Sequence, residues 1–305
     1  MLKSDLLARL SATRLLVTGE SLFIDDRVGE TPHNIRARFL RSGLIVQMYA
    51  SLEAYLKETF RLFCDDLANC NHNYTDFPDT LKALFTTRAV GGLSGLLRRT
   101  STDDRLRVSE QEIGSLGLHV SMPPKFSALG FGYETPNINA DGVESLMKAI
   151  GFKAVWRLVD DVCAGAGIGA SNAKDAMKNF LACRNRAAHD PTAIFATSDV
   201  EQSSQSAFVI AISIDILLTY GISVAKASQR WTDVARALES PVFGFRFIDE
   251  GSDGRWRERM GPSGSTYRSH ASEVDARREA GARAARNGQV LIIRDTRLRP
   301  YDWKA

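Results

Sequence analysis

Cysteine is scarce in this chain, with four residues among 305, and that scarcity excludes a disulfide-built scaffold. Cys64, Cys70 and His72 lie close together, but no second ligand pair follows at zinc-site spacing. They read as buried thiols, and neither a metal nor any other cofactor is expected. An excess of one charge is also lacking: 39 basic and 36 acidic residues leave a net charge of +3, which neither demands nor excludes nucleic acid. Charged residues at 25% and hydrophobic ones at 44% exclude a low-complexity or disordered polymer. A charge-free apolar run of membrane length is missing too. Residues 207–225 come nearest, but Asp215 sits near their middle, where a charge costs roughly 2.5–3.5 kcal/mol on insertion scales. The stretch therefore reads as a core helix, weakened further as a span by Ser213 and Thr219. The opening MLKSDLLARL carries Asp5 and Arg9 inside its apolar stretch and has no small-residue cleavage site. No signal peptide and no membrane association are expected, and the compartment expected is the cytoplasm.

Periodicity describes most of what is present. Residues 1–239 read as a mainly helical domain. Over 31–67 the apolar positions Leu44, Met48, Leu52, Tyr55, Leu56, Phe60 and Phe63 recur at spacings of three and four, with Pro32 in the first turn. Further helices are expected over 5–26, 79–99 (weakened by Gly91, Gly92 and Gly95), 141–150, 152–163, 172–189 and 199–238. The last has an interruption allowed at Gly221, and Pro191 ends the 172–189 helix near His189. Residues 100–140, with Pro123, Pro124 and Pro136, lose the period and read as a long irregular insertion.

Beyond Ser240 the period shifts from 3.6 to 2. Phe243, Phe245 and Phe247, the segment 254–259, Tyr267, a helix over 272–286 and a closing strand over 290–294 describe a small α+β domain, ββ(β)αβ, over 241–305. This tail holds 13 basic and 9 acidic residues, so it carries the basic excess.

The segment Arg184-Asn185-Arg186-Ala187-Ala188-His189-Asp190 holds an arginine and a histidine at the end of a predicted helix. Phosphodiester chemistry near neutral pH needs a fixed cation and a group that exchanges a proton, and these two residue types supply both. On an ideal helix a spacing of five puts them about 140° apart, so they converge only if the helix ends between them. By spacing alone, a helix C-terminal cation and a capping histidine explain the pair as well.

The segment matches the R-x4-6-H signature of the HEPN (higher eukaryotes and prokaryotes nucleotide-binding) superfamily, including the polar Asn after the Arg. NAKDAMKNFLACRNRAAHD is similar to the helix that carries this signature. YASLEAYLKETFRLF resembles the opening core helix of HEPN branches found beside restriction and phage-defence genes. The resemblance implies a HEPN-like helical bundle, paired as a homodimer with two signatures facing across the two-fold axis. It implies a metal-independent endoribonuclease in which the 2′-hydroxyl attacks to leave 2′,3′-cyclic phosphate and 5′-hydroxyl ends. Carried over, His189 moves the proton, Arg184 holds the phosphate and Asn185 orients either. Glu53 falls where some relatives place an acidic residue near the cleft, although pairing with Lys57 is an equal reading. Arg186 is a further RNA-contact candidate, with a plain surface charge an equal reading. Arg36, Arg38 and Arg41 on the long helix read first as a solvated face, and second as a phosphate-binding ridge that includes Arg36 and Arg41 as RNA contacts.

The C-terminal segment resembles a small bacterial domain of unknown function, through Gly254-Arg255-Trp256 and an Ala/Arg-rich helix. Arg255, Arg257 and Arg278 there are expected to reach RNA. The implied role is a toxin-like or antiviral enzyme controlled by an antitoxin or other regulatory partner. Two rivals remain. One is a non-catalytic HEPN module that binds nucleotide or RNA, or serves as a dimerising scaffold; the other is a DNA-binding regulator acting through the basic tail.

Overall fold

The computed structural model describes residues 1–17, 19, 22, 31–117, 124–134, 137–169 and 172–305. Ten α-helices among these precede a five-stranded sheet that carries one more helix. The first is α1 (Lys3–Val17), shorter than expected; most of the remainder of 5–26 lies outside the described residues. The predicted long helix is α2 (Pro32–Ala68), opened by Thr31, whose side chain accepts from the Asn34 amide as an N-cap should.

The 79–99 helix is in fact two, α3 (Asp79–Phe85) and α4 (Thr87–Arg99). The break falls at Thr86, whose hydroxyl donates to the Lys82 carbonyl, and not at the glycines. Gly92 and Gly95 lie inside α4 because the returning insertion runs against them: a Cβ on Gly92 would stand 1.9 Å from the Leu129 carbonyl oxygen. The irregular stretch expected over 100–140 contains a helix as well, α5 (Arg105–Leu116), and Pro123 and Pro136 lie outside the described residues. Phe126 and Phe131 turn inward from the insertion onto Phe85 and Phe60 and belong to the core.

Helices α6 (Ala140–Ile150), α7 (Val155–Gly165) and α8 (Ala173–His189) follow, then α9 (Thr197–Ala227) and α10 (Trp231–Glu239). The expected 199–238 helix therefore breaks at 228–230, while Gly221 stays buried inside α9. By length and composition α9 could cross a membrane, yet 72% of its apolar window is buried among the other helices. It runs along α2, α8, α7 and α1 as the central strut of the bundle. Cys64 lies in that core with its thiol pushed up by burial, and His72 Nε2 is 2.9 Å from the Ala225 carbonyl oxygen.

The C-terminal sheet contains β1 (Gly244–Glu250), β2 (Trp256–Arg259), β3 (Thr266–His270), β4 (Gln289–Arg294) and β5 (Pro300–Lys304), in the order β3-β2-β1-β4-β5. Helix α11 (Glu273–Arg286), capped by Ser272, sits between β3 and β4 in sequence. The third strand is real, and β4 does not close the sheet, because β5 adds antiparallel to it. Only β1 and β4 pair in parallel among the described strands. Ile248, Leu291 and Ile293 pack on the alanines of α11. The alternating residues Phe247, Val290, Ile292 and Trp303 join the core of the helical bundle, as a period of two requires.

Candidate functional site

Helix α8 is fixed at both ends. Asn172, at φ 62°, accepts from the Asp175 amide at 3.2 Å and opens it. Phe180 anchors the middle, its ring edge-on to Tyr49 of α2 at 4.9 Å. At the far end the Asp190 amide donates to the Arg186 carbonyl, and the Asp190 carboxylate accepts from the Thr192 amide and hydroxyl at 2.9 and 2.6 Å. Those donors hold the Asp190 carboxyl below its usual range and turn the chain at Pro191.

Helix α8 runs unbroken through His189, so the helix does not end between Arg184 and His189. By helical geometry they stand about 140° apart and about 7.5 Å along the axis. They do not converge within one chain. Arg184 Nη1 donates to Asn185 Oδ1 at 3.0 Å, which makes one polar unit of the two. Asn185, Arg186 and His189 are exposed and Arg184 is half-buried. Arg186 lies over the Phe195 ring at 5.3 Å, an interaction that fixes it against the loop before α9.

Glu53 is neither a solvated surface residue nor a cleft acid pointing outward. It is half-buried and accepts the Ile138 amide hydrogen. Tyr49, one turn earlier, donates its hydroxyl to the Ile138 carbonyl. The two side chains thus pin both backbone groups of Ile138, where the insertion returns to the bundle. Burial and then Glu53 push the Tyr49 phenol up, and Arg184 opposes them. Glu53 and Arg184 therefore lie within electrostatic reach of one buried hydroxyl. Tyr49 is the residue that sequence reasoning missed; its spacing of four from Glu53 inside YASLEAY was the available signal. Lys57, the alternative partner of Glu53, lies over the Tyr133 ring at 4.9 Å.

Of the helix-α2 arginines, Arg36 is exposed, but Arg41 faces the interior. Its guanidinium donates to the Leu22 and Phe195 carbonyls and to the Thr197 hydroxyl. With 6% exposure it is a clamp between the start of α2 and the start of α9, which corrects its expected place on a phosphate-binding ridge. Beside it a cleft of about 370 Å³ is lined by Ile35, Phe39, Ala187, Pro191 and Ile194, among others. Phe39 and Ile194 are 70% and 57% exposed. An apolar patch therefore adjoins the exposed end of α8, where water contact is unfavourable.

The C-terminal arginines are mostly engaged internally. Glu258, fully buried, takes ion pairs from Arg246 and Arg283 and lies 3.3 Å from His270 Nε2. Burial pushes its carboxyl up, but the Arg283, Arg246 and His270 donors outweigh that and hold it below its usual range. Asp249 pairs in the same way with Arg294 and Arg259, each at 2.7 Å. Arg257 pairs with Asp253 at 2.8 Å and Arg278 with Asp275 at 2.6 Å, which neutralises two of the three arginines expected to reach RNA. Arg255 is exposed. The +4 excess of the tail is thus not a continuous cationic face.

The sequence model of the RiboL-PSP-HEPN family matches residues 20–220, a span that holds α2 through most of α9. No curated protein and no solved structure matches the chain.

Proposed function

This chain belongs to the RiboL-PSP-HEPN family, and from that premise we propose that it is a metal-independent endoribonuclease working as a homodimer in the cytoplasm. The observation that carries the proposal is the end of α8, which bears Arg184, Asn185 and His189 and whose Ala187 and Asp190 line the apolar cleft with Ile35, Phe39 and Ile194. Because Arg184 and His189 diverge on one continuous helix, one copy does not enclose a scissile phosphate. A second copy covering the patch brings a second set to the same groove and removes the exposed phenylalanine from water.

In that groove His189 takes the proton of the ribose 2′-hydroxyl or returns one to the leaving 5′-oxygen, two roles suited to an imidazole near neutral pH. Arg184 holds the phosphate and offsets the charge that grows on it. Its bond to Asn185 sets the guanidinium orientation, and the Tyr49–Glu53 pair fixes the wall behind it. Arg36 and Arg255 supply the exposed cations for the RNA backbone. Such an activity on host or invader transcripts suits a toxin or antiviral effector. We assign control of the activity to an antitoxin or other regulatory partner, with the insertion pinned at Ile138 as the segment it acts on.

The test is to incubate the purified protein with total RNA in excess chelator, beside His189→Ala and Arg184→Ala. Cleavage that survives chelation and falls by roughly 10²-fold or more in each variant, from an even-numbered oligomer, is expected. Binding without cleavage, unchanged in the variants, would replace this reading with a non-catalytic RNA-binding or scaffold module.

A further inference from the structure

A second cleft, of about 650 Å³, opens where α1, the loop into α8, α9 and the β4–β5 loop meet. None of Arg184, Asn185 and His189 lines it, so it is a different site from the one at the end of α8.

Its α9 wall is a stripe at helical spacing: Glu201, Ser204, Gln205 and Phe208. Ser204 is 2% exposed and its Oγ has no hydrogen-bond partner among the described residues, an unfavourable and uncommon state for a buried hydroxyl. From α1, Arg14 reaches to 5.8 Å from the Phe208 ring centroid. Its guanidinium makes no hydrogen bond or ion pair to another described residue. Burial and then the Arg299 cation pull Arg14 below its ordinary value, with Asp295 opposing. Two guanidinium groups thus line one cleft, and the Asp295 carboxylate is paired with that of Arg299.

The loop that brings Arg299 is tightly built. Asp295 accepts the Arg297 and Arg299 amides, each at 2.9 Å, and pairs with the Arg299 side chain. Leu298 between them sits at φ 58°, a left-handed conformation that a leucine rarely adopts and that recurs where loops clamp ligands. Arg14, Arg297 and Arg299 against Glu201 and Asp295 leave one net positive charge. That balance suits a single phosphate, which carries about −1.5 to −2 near pH 7, better than a polyphosphate.

We propose that this cleft binds a nucleoside monophosphate. The phosphate lies between Arg14 and Arg299, the Ser204 hydroxyl donates to it, and the base rests on the apolar wall of Leu15, Val17 and Phe208. Glu201 and Gln205 on the rim accept and donate to the ribose or the base edge. A ligand held there would tie the C-terminal sheet to α1 and α9.

Calorimetric titration of the full chain with AMP, GMP, CMP and UMP, and with inorganic phosphate and ribose 5-phosphate as controls, tests this. At least one nucleotide should bind in the micromolar range. Arg14→Gln and Ser204→Ala, each checked by circular dichroism for an unchanged fold, should weaken it roughly tenfold, about 1.4 kcal/mol, and His189→Ala should not. Absence of binding by all four nucleotides overturns the proposal, as does affinity unchanged in Arg14→Gln. Loss of binding in His189→Ala would move the ligand to the far end of α8, and equal affinity for phosphate alone would remove the nucleoside from it.

Discussion

Asp215 stood out in the sequence as a charge inside the most apolar stretch, and the fold gives it a partner from the other end of the chain. Trp303 Nε1 donates to its carboxylate at 2.6 Å, and Trp303 is itself packed edge-on to Tyr55 and Phe208. Burial raises the Asp215 carboxyl above its ordinary value, while the Trp303 donor, Lys3 and Tyr55 work the other way. The folded protein therefore binds more protons at this site than the unfolded chain does. Stability from Asp215 is greatest below its unfolded pKa of about 3.9 and falls as pH rises through the raised folded value. Asp215→Asn keeps an acceptor for Trp303 without the charge. The thermal midpoint of the wild type, relative to this variant, should drop between pH 4 and pH 7 in buffers of equal ionic strength; parallel curves would contradict the assignment. The sequence showed the charge but not its partner, since 88 residues separate Asp215 from Trp303.

At the scale of elements, two glycines in helix interiors predict opposite responses. Gly43 in α2 has nothing within 4 Å of an added Cβ, whereas Gly92 in α4 meets the Leu129 carbonyl. Gly43→Ala should stabilise by about 0.5–1 kcal/mol through helix propensity alone. Gly92→Ala should destabilise by more than that, because backbone must move. Chemical denaturation of the two variants checks both, and a Gly92→Ala protein as stable as the wild type would mean that the insertion does not lie against α4. This close approach also accounts for the glycines expected to weaken the 79–99 helix, which lie inside α4 while the break falls at Thr86. Glycines that allow a neighbour to come near look the same, in one dimension, as glycines that break a helix. The α2 and α8 helices were legible because their apolar stripes and their caps, Thr31 and Asn172, agree. Helix α5 was not, since Leu106 and Ile113 are exposed and its packing on the small Ala89–Leu93–Leu129 cluster comes at its last residue, Leu116. Strand β5 hid behind Pro300 and its charged neighbours, which an edge strand tolerates at its start.

In the whole molecule, the change of period at Ser240 marked a real change of architecture. What it did not reveal is that one face of the sheet enters the bundle core through Phe247, Val290, Ile292 and Trp303. The same gap between pattern and placement applies to charge. An excess of +4 in the tail suggested a nucleic-acid surface, but buried Glu258 and Asp249 draw four of the arginines inward. Within the candidate site the Arg184–His189 pair was legible from its chemistry and resemblance. The Tyr49–Glu53–Ile138 brace was not, since it depends on a segment 85 residues downstream of Glu53. Under the proposed function, the divergence of Arg184 and His189 on an unbroken helix is what pairing with a second copy of the chain resolves. The most direct measurement is mass spectrometry of the ends made on a short RNA, beside the same RNA with one 2′-deoxy nucleotide at the cleaved position. The account predicts 2′,3′-cyclic phosphate and 5′-hydroxyl ends, with that cut abolished in the deoxy substrate and in His189→Ala. Ends bearing a 5′-phosphate, or undiminished cutting at the deoxy position, would contradict it.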